Sequence, residues 1–502
     1  MFCQLVYLRG CLPGRIRRTL NELPETLDDT YARSLEEIDK KNWEYAHRLF
    51  QCVAAASRPL NVNELAEFLA FDFEAGSTPS LLADWRPEDP KHSVLSICSS
   101  LLSIVKPDGG SPVVQFAHFS VKEYLTSTRL TKAKDTISRF HVSMTAAHTI
   151  VAQACLGVLL HLDENITEDS LEEFPLAEYA AEHWVGHARI ENVASMVQDG
   201  IKRLFDPSES HLHVWFWIYD LENPFPRLNR SKSPGKVKAT PLHYAAACGM
   251  YDVVKFLIIE HSQDVKARGF KYNVTPLHVA SRRGHADVAQ LLLEHGADAK
   301  AIAPDPYRRT PLHMASSGGH VEVARVLLEH GADADTRDNY SWRPLGLALY
   351  MRHVEVARVL LEHGADMKAL GNSNRNPLHF VTDEEFTQYF LKHGVDANAL
   401  DTDGRTPLHS ASARGGCVGV ARALLEHGVD ANARDDKNAT ALHLASYLDN
   451  DLDGVRLLLQ YGADIHARDD EGQTPFMKAT KKRCHEIMKL LLECGAEDHR
   501  KL

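Results

Sequence analysis

The sequence predicts a mainly α protein: a solenoid of stacked helix pairs over residues 236–502, preceded by a helical region that does not repeat. Two observations carry this. The phrase T-P-L-H stands whole at Thr240, Thr275, Thr310 and Thr406, and in altered form at Arg343 (R-P-L-G), Asn376 (N-P-L-H), Thr440 (T-A-L-H) and Thr474 (T-P-F-M). Its successive intervals are 35, 35, 33, 33, 30, 34 and 34 residues. After each copy, apolar residues recur at helical spacing until a glycine interrupts them. Such a period marks stacked units, none of which can bury its apolar face alone.

The segment Thr275 to Asp298 shows the design of one unit. Thr275 is placed to cap a helix, and Pro276 at the first helical position lacks only a donor that would have had no partner. Leu277 and Ala280 give the inward face of a short first helix, which Gly284 ends. Val288, Leu291 and Leu292 lie at helical spacing on a second helix, and Gly296 stops it before a polar finger leads onward. Motif, period and repeat count together resemble the ankyrin-repeat family. That resemblance implies an extended binding surface, the concave side made of finger tips and first helices. The function expected is therefore capture of a protein partner.

The 28 histidines suggest metal at first sight. However, His243, His278, His313, His379, His409 and His443 occupy one repeat position, and His295, His330, His363, His393 and His427 another. Neighbouring copies stand about one repeat apart, too far to share an ion at ligand distances near 2 Å. The resemblance implies that the first set ties backbone and threonine hydroxyls between repeats. No metal and no cofactor are expected. In the fourth repeat Arg343 and Gly346 replace the cap and the imidazole, and the fifth, Asn376 to Val395, is short between its helices. The solenoid is expected to be weakest across Trp342–Asn398. In the last repeat Lys481, Lys482, Arg483 and Glu486 suit a solvent-facing terminal cap.

Three positions before each cap stand Tyr272, Tyr307 and Tyr340, then Ser373, Asp403, Lys437 and Glu471. The early fingers thus offer an aromatic ladder, with Phe270 and Trp342 beside it; tyrosine and tryptophan are common interface anchors. Phe270, Tyr272, Tyr307, Tyr340 and Trp342 are the candidate protein-binding residues. Later fingers turn acidic, at Asp401, Asp403, Asp435, Asp436, Asp469, Asp470 and Glu471. Their alternative role is to nucleate the finger turns.

At 502 residues the chain needs more than one folding unit. The formal charge of -12 argues against wholesale binding to nucleic acid or anionic membrane. Nine cysteines without a C-x-x-C pair fit reduced thiols in a cytoplasmic, intracellular protein. Met1–Tyr7 is too short an apolar stretch for a secretion signal. No membrane span is expected, the longest apolar candidate, His213–Leu221, carrying Asp220.

The first 235 residues carry local signals. Leu27, Tyr31, Leu35 and Ile38 form a helical stripe after Pro24, and a second helix is expected over Trp43–Ala56. Asn61 and Glu64 make a capping pair ahead of Leu65, Phe68 and Leu69. A helix around Val94–Leu102, a short strand ending near Val105, a turn at Pro107–Gly110 and a strand over Val113–Phe119 follow. Ser120 and Glu123 read as a second capping pair, opening a helix with Tyr124 and Leu125. Helix, helix and hairpin is the layout of a winged helix. Its recognition helix, Asn63–Leu69, carries Glu64 and Glu67 but no cation, which argues against DNA.

Leu20–Ile38 (L-N-E-L-P-E-T-L-D-D-T-Y-A-R-S-L-E-E-I), Arg58–Ala70 (R-P-L-N-V-N-E-L-A-E-F-L-A) and Val114–Leu125 (V-Q-F-A-H-F-S-V-K-E-Y-L) resemble the segment after the NACHT domain of fungal NACHT–ankyrin proteins. Pro175–Arg189 (P-L-A-E-Y-A-A-E-H-W-V-G-H-A-R) resembles their helical connector. That family comprises signal-transduction NTPases related to immune and self/non-self receptors, in which the winged helix packs within the receptor. Its phosphate-binding loop, G-x-x-x-x-G-K-[ST], has no counterpart here, so nucleotide binding is not carried over. The resemblance implies that Phe2–Arg9 follows the position of the missing NTPase core. The organisation expected is a helical segment over 1–57, a winged helix over 58–135, a helical connector over 136–235 and eight repeats over 236–502. His211 and His213 lack a carboxylate or cysteine cluster beside them, Pro107–Ser111 suits a hairpin better than a phosphate cradle, and no G-x-S-x-G elbow occurs. The expected protein is a non-enzymatic scaffold, the sensor or regulatory half of a NACHT-type receptor. The alternatives are a fragment of a signalling NTPase, or an adaptor delivering proteins to a modifying enzyme.

Overall fold

The computed structural model describes residues 26–497, except 75, 77, 99, 108–110, 221–238, 271, 368–371 and 449–450. The readings at Met1–Tyr7, at Phe2–Arg9, at the tip of the 107–110 turn and over the last part of the connector lie outside the described residues. The chain forms two compact units, residues 1–241 and 242–502.

In the first unit Leu27–Glu36 forms the opening helix, capped by Thr26 on the amide of Asp29. Tyr31, Leu35 and Ile38 are buried as their spacing requires, whereas Leu27, in the first turn, is exposed. Helix Trp43–Ala55 leads to Leu60–Asn61, the edge of a three-stranded antiparallel sheet whose middle strand is Val113–Phe116 and whose far edge is Leu102–Val105. Asn61 and Glu64 form the expected capping box.

Two boundaries differ from the sequence reading. The helix expected around Val94–Leu102 is Pro90–Cys98, because Asp89 accepts from the His92 amide (2.9 Å) and starts it four residues early. It ends before Leu102, which pairs with Phe116. The strand expected to reach Phe119 stops at Phe116, since His118, not Ser120, caps helix Phe119–Leu125 through its Nδ1. The Ser120 hydroxyl meets Tyr31 Oη at 2.7 Å.

Glu64 and Glu67, read from the sequence as part of the recognition helix, face inward. Glu64 receives two hydrogen bonds from Arg58 (2.9 and 2.7 Å). Glu67 pairs with Arg86 and accepts from the Leu176 amide (2.8 Å), which joins the winged helix to the connector. Burial raises the Glu67 carboxyl above its usual value, against the Leu176 amide and Arg86. Every residue from Glu64 to Ala70 is buried, so this helix has no free face for a DNA groove.

The core helix is Met144–His161, packed between Trp43–Ala55 and Ala177–Ala188. Length and apolar composition alone would let it cross a membrane, which the sequence reading missed; 56% of it is buried inside this unit. At Gly157 a Cβ would lie 2.7 Å from the Pro79 carbonyl and 2.8 Å from the Phe71 ring, so glycine admits the hairpin Phe71–Asp72/Ser80–Leu81. Ala177–Ala188 carries Trp184, which meets Phe205 and Trp215 edge-on. His211 Nδ1 lies 3.1 Å from the Leu162 carbonyl.

The second unit is the solenoid. Most repeats pair a first helix starting at the proline with a second, as in Pro276–Arg283 with Ala286–Glu294 and Pro311–Gly318 with Val321–Glu329. First helices pack on first helices and second on second, burying Leu277, Leu312, Leu408 and Leu442 in one row and Val288, Val323, Val420 and Val455 in another. The capping boxes read from the motif form at Thr275, Thr310, Thr406 and Thr440, and Asn376 supplies one in the fifth repeat. Arg343 makes no side-chain cap. In the fifth repeat the first helix is only a 3-10 turn, Pro377–His379, and second helices Val354–Glu362 and Glu384–Lys392 meet lightly, with Arg358 5.4 Å from the Phe386 ring. Amide exchange is expected to open Trp342–Asn398 first; protection there equal to that of Thr275–Glu329 would refute this.

Candidate protein-binding surface

Four fingers, those of Tyr340, Asp403, Lys437 and Glu471, are built on a buried carboxylate. Asp338, Asp401, Asp435 and Asp469 are buried. Each Oδ1 accepts from amides two and four residues on: Tyr340 and Trp342 (2.9 and 2.9 Å), Asp403 and Arg405 (2.9 and 2.9 Å), Lys437 and Ala439 (2.9 and 2.9 Å), Glu471 and Gln473 (3.0 and 2.8 Å). The other oxygen meets a cation: Arg309 on Asp338 (3.3 Å), Arg375 on Asp401 (2.8 Å), Arg405 on Asp435 (3.3 Å) and Lys478 on Asp469 (2.6 Å). Burial pushes Asp401 up, but the Arg405 amide, the Arg375 guanidinium and the Asp403 amide outweigh it and hold the carboxyl below its usual value. Asp401, Asp435 and Asp469 thus take the turn-building role that the sequence left as the alternative, and Asp338, not among the acidic residues read there, does the same. Asp403, Asp436, Asp470 and Glu471 remain exposed.

Fingers are joined at their tips. The Asn339 amide donates to the Tyr307 carbonyl (2.9 Å), Thr402 to Ser373 (3.0 Å), Asp436 to Asp403 (3.0 Å) and Asp470 to Lys437 (3.0 Å). The first of these bonds sets Tyr340 beside Tyr307, with ring centroids 5.5 Å apart, and Arg309 lies 4.9 Å from the Tyr307 ring. Tyr272, Tyr307 and Tyr340 are exposed by 41%, 44% and 53%, enough area for each to meet a partner.

Phe270 is a correction. It is buried, edge-on to His243 (5.6 Å) and Tyr244 (5.0 Å). Gly269 and Val274 close a tight antiparallel bridge, and Phe270 takes φ 62° to fold back into the core. Trp342 is half-buried and leaves the ladder: its ring lies 5.3 Å from Tyr350 and 5.0 Å from Phe380. A Cβ at Gly346 would meet that ring at 3.3 Å, so Trp342 covers the position where other repeats carry the bridging histidine. Tyr350, 54% exposed, was missed by the sequence reading. Its place seven residues after the cap position, shared with Tyr447, was the available signal.

The histidines are framework, by a geometry more specific than expected. In the first set Nδ1 meets the cap side chain of its own repeat, a hydroxyl in Thr275–His278 (2.8 Å) and Thr310–His313 (2.8 Å) and the amide oxygen in Asn376–His379 (2.9 Å). Nε2 reaches the next repeat's carbonyl, Arg309 from His278 (3.2 Å) and Ala439 from His409 (3.1 Å). Burial pushes His243 and His278 down to about 4. The second set turns Nδ1 onto the carbonyl four residues back, as His295 does on Leu291 (2.9 Å). A third set was overlooked: His285, His320 and His353 reach back to the carbonyls of Ala247 (3.1 Å), Arg282 (3.0 Å) and Ser317 (3.2 Å). Among the described residues, no group of three or more metal-ligating side chains gathers.

Comparison with known proteins agrees with this architecture. A model described as ankyrin repeats (3 copies) matches residues 221–303, 300–371, 378–469 and 432–501. A model described as the winged helix domain of GPI inositol-deacylase matches residues 34–138. Among curated proteins, azaphilone pigments biosynthesis cluster protein L of Monascus ruber is 32% identical over 254 residues, 49% of this chain and 53% of that protein. Vegetative incompatibility protein HET-E-1 of Podospora anserina is 22% identical over 232 residues, 42% of this chain and 16% of that protein. The chain thus spans about half the length of the first relative and a small part of the second. The crystal structure of the human ASB11 ankyrin repeat domain aligns with a TM-score of 0.40 and 27% identity, over 45% of this chain and 99% of that one. The first unit contains a winged helix, the second a protein-interaction scaffold, and the chain belongs to the ankyrin-repeat family.

Proposed function

We propose that this chain is a non-enzymatic, intracellular binding protein that captures a protein partner on its fingers and first helices. The observation that carries the reading is the exposed pair Tyr307 and Tyr340, set side by side by a backbone bond between fingers, with exposed Tyr272 one finger before. Rigid, half-exposed tyrosines give contact area at small entropic cost. Changing Tyr272, Tyr307 and Tyr340 together to alanine is expected to abolish affinity capture of the partner while circular dichroism stays unchanged. Capture retained by the folded triple variant would remove the ladder from the interface.

The finer reading is the sensor or regulatory half of a NACHT-type receptor, with partner capture altering how the repeats act on the winged-helix unit. The winged-helix match and the distant likeness to HET-E-1 support it. A search of the genomic sequence upstream of the Met1 codon separates this reading from a fragment of a signalling NTPase: an in-frame G-x-x-x-x-G-K-[ST] there would favour the fragment, and a gene without it would leave the binding protein.

A further inference from the structure

The first unit holds a histidine arrangement unlike the framework rows of the solenoid. His187, on helix Ala177–Ala188, is 1% exposed and has a partner at each ring nitrogen. Its Nδ1 lies 2.8 Å from Nδ1 of His148, which is half-buried on the core helix. Its Nε2 lies 2.9 Å from Tyr179 Oη and 3.4 Å from Ser57 Oγ. The Ser57 amide donates to Tyr179 Oη (3.0 Å). Three segments therefore meet at one buried ring: the chain entering the winged helix, the core helix and the connector helix. A contact between two Nδ1 atoms needs one proton and one lone pair. Each group is used once when the Tyr179 hydroxyl donates to His187 Nε2 and His187 Nδ1–H donates to His148 Nδ1. A proton added at His148 Nδ1 sets N–H against N–H. Reversing the chain removes that clash only by turning the Tyr179 proton away from His187, its ring acceptor.

We propose that Ser57, His148, Tyr179 and His187 form an acid-operated clasp that fastens the core and connector helices to the chain entering the winged helix. It is closed while the two rings share one proton between their Nδ1 atoms and released when each Nδ1 carries its own. The surroundings favour the shared proton. Lys122, from helix Phe119–Leu125, donates to the Ala54 carbonyl (2.7 Å); burial, and then Lys122, lower His148. Burial, and then His148 and His183, push His187 down to about 4. His183 lies 3.7 Å from Glu182, and Arg58, 5.0 Å from the Tyr179 ring, is forked on Glu64. The thiols of Cys52, on Trp43–Ala55, and Cys155, on the core helix, are raised by burial and stay neutral. From helix Val193–Met196, Met196 meets Thr149 and brings no charge; helix Gln198–Leu204 packs at Leu156, about two turns further on. Among the described residues no carboxylate bonds to either ring to steady a second proton. Both rings titrate below the ordinary 6.5, so the clasp is fully closed above that value and is lost as pH falls toward 4.

The test uses the full chain and follows amide exchange at Ser57, corrected for the intrinsic rate, at pH 7.5 and 5. In the wild type, exchange at Ser57 is expected to quicken about tenfold at the lower pH. The Val114 amide, in the sheet of the same unit, is expected to keep its rate. His148→Asn places an amide oxygen that accepts and does not titrate, so Ser57 should stay slow at both values. Tyr179→Phe removes the acceptor of the Ser57 amide, so exchange should be fast at both. Folding of each variant is checked by circular dichroism. A wild-type rate that ignores pH, an equal quickening at Val114, acid opening that persists in His148→Asn, or slow exchange in Tyr179→Phe would each overturn the clasp. The wild-type ratio and Tyr179→Phe decide the matter even if His148→Asn does not fold.

Discussion

Stability of the solenoid is expected to fall as the pH drops from about 6.5 toward 4, well before its carboxylates titrate. In His278, His313, His409 and His443 Nε2 faces a carbonyl, which can only accept, so Nε2 carries the proton and Nδ1 accepts from the threonine hydroxyl. A second proton would set an N–H against the cap residue's own amide, which donates to Nδ1 from Thr275 (3.4 Å) and Thr310 (3.3 Å). Burial is the main reason that His243 and His278 sit near 4, and that His313, His379, His409 and His443 are also lowered. The folded state therefore holds fewer protons than the unfolded chain between about 4 and 6.5. This stabilisation is fully present above the unfolded value and is lost as pH falls through the window. One ring moved from 6.5 to about 4 corresponds to about 3 kcal/mol, a large part of a domain's net stability. Asp401 and Asp469, lowered from 3.8, would be lost only at still lower pH. Asp451, raised chiefly by burial, opposes the trend weakly. Urea midpoints at pH 7.5, 6 and 5 should decline in that order; a constant midpoint would refute the mechanism.

The second large effect concerns two glycines that share one conformation. Gly284 and Gly296 have φ of 81° and 88°, so alanine at either carries the left-handed penalty of about 1 kcal/mol. Around Gly296 nothing lies within 4 Å, whereas a Cβ at Gly284 would come 2.5 Å from His320 Nδ1. That ring is held by its bond to the Arg282 carbonyl (3.0 Å) and cannot withdraw without losing it. Gly284→Ala is expected to cost about 3 kcal/mol, from strain, overpacking and the lost bond, and Gly296→Ala about 1 kcal/mol. Adding His320→Ala to Gly284→Ala should recover part of the difference in a double-mutant cycle. Equal costs at the two glycines would remove the ring from the account.

The repeat was legible because its determinants are local. A threonine that caps, a proline at the first helical position and a glycine at positive φ act over four to ten residues, and they recur at a readable period. The helix starting at Pro90 was legible in principle as well, since Asp89 and Pro90 carry its cap chemistry. Side-chain direction at the finger tips was not. Phe270 and Tyr272 stand two residues apart in one finger, yet a bridge from Gly269 to Val274 sends one ring inward and leaves the other exposed. The inward turn of Glu64 and Glu67 depended on Arg58, Arg86 and the distant Leu176 amide.

Sequence alone determined that the back half is a stack of capped helix pairs and that its histidines recur as framework, because each unit's start and stop are encoded in its own few residues. Tertiary structure alone decided which carbonyl of a neighbouring repeat each bridging histidine reaches, that Tyr340 stands beside Tyr307, and that Trp342 packs on Phe380. Those outcomes depend on residues some thirty or more positions apart coming within a few ångströms, and spacing along one chain does not specify that approach.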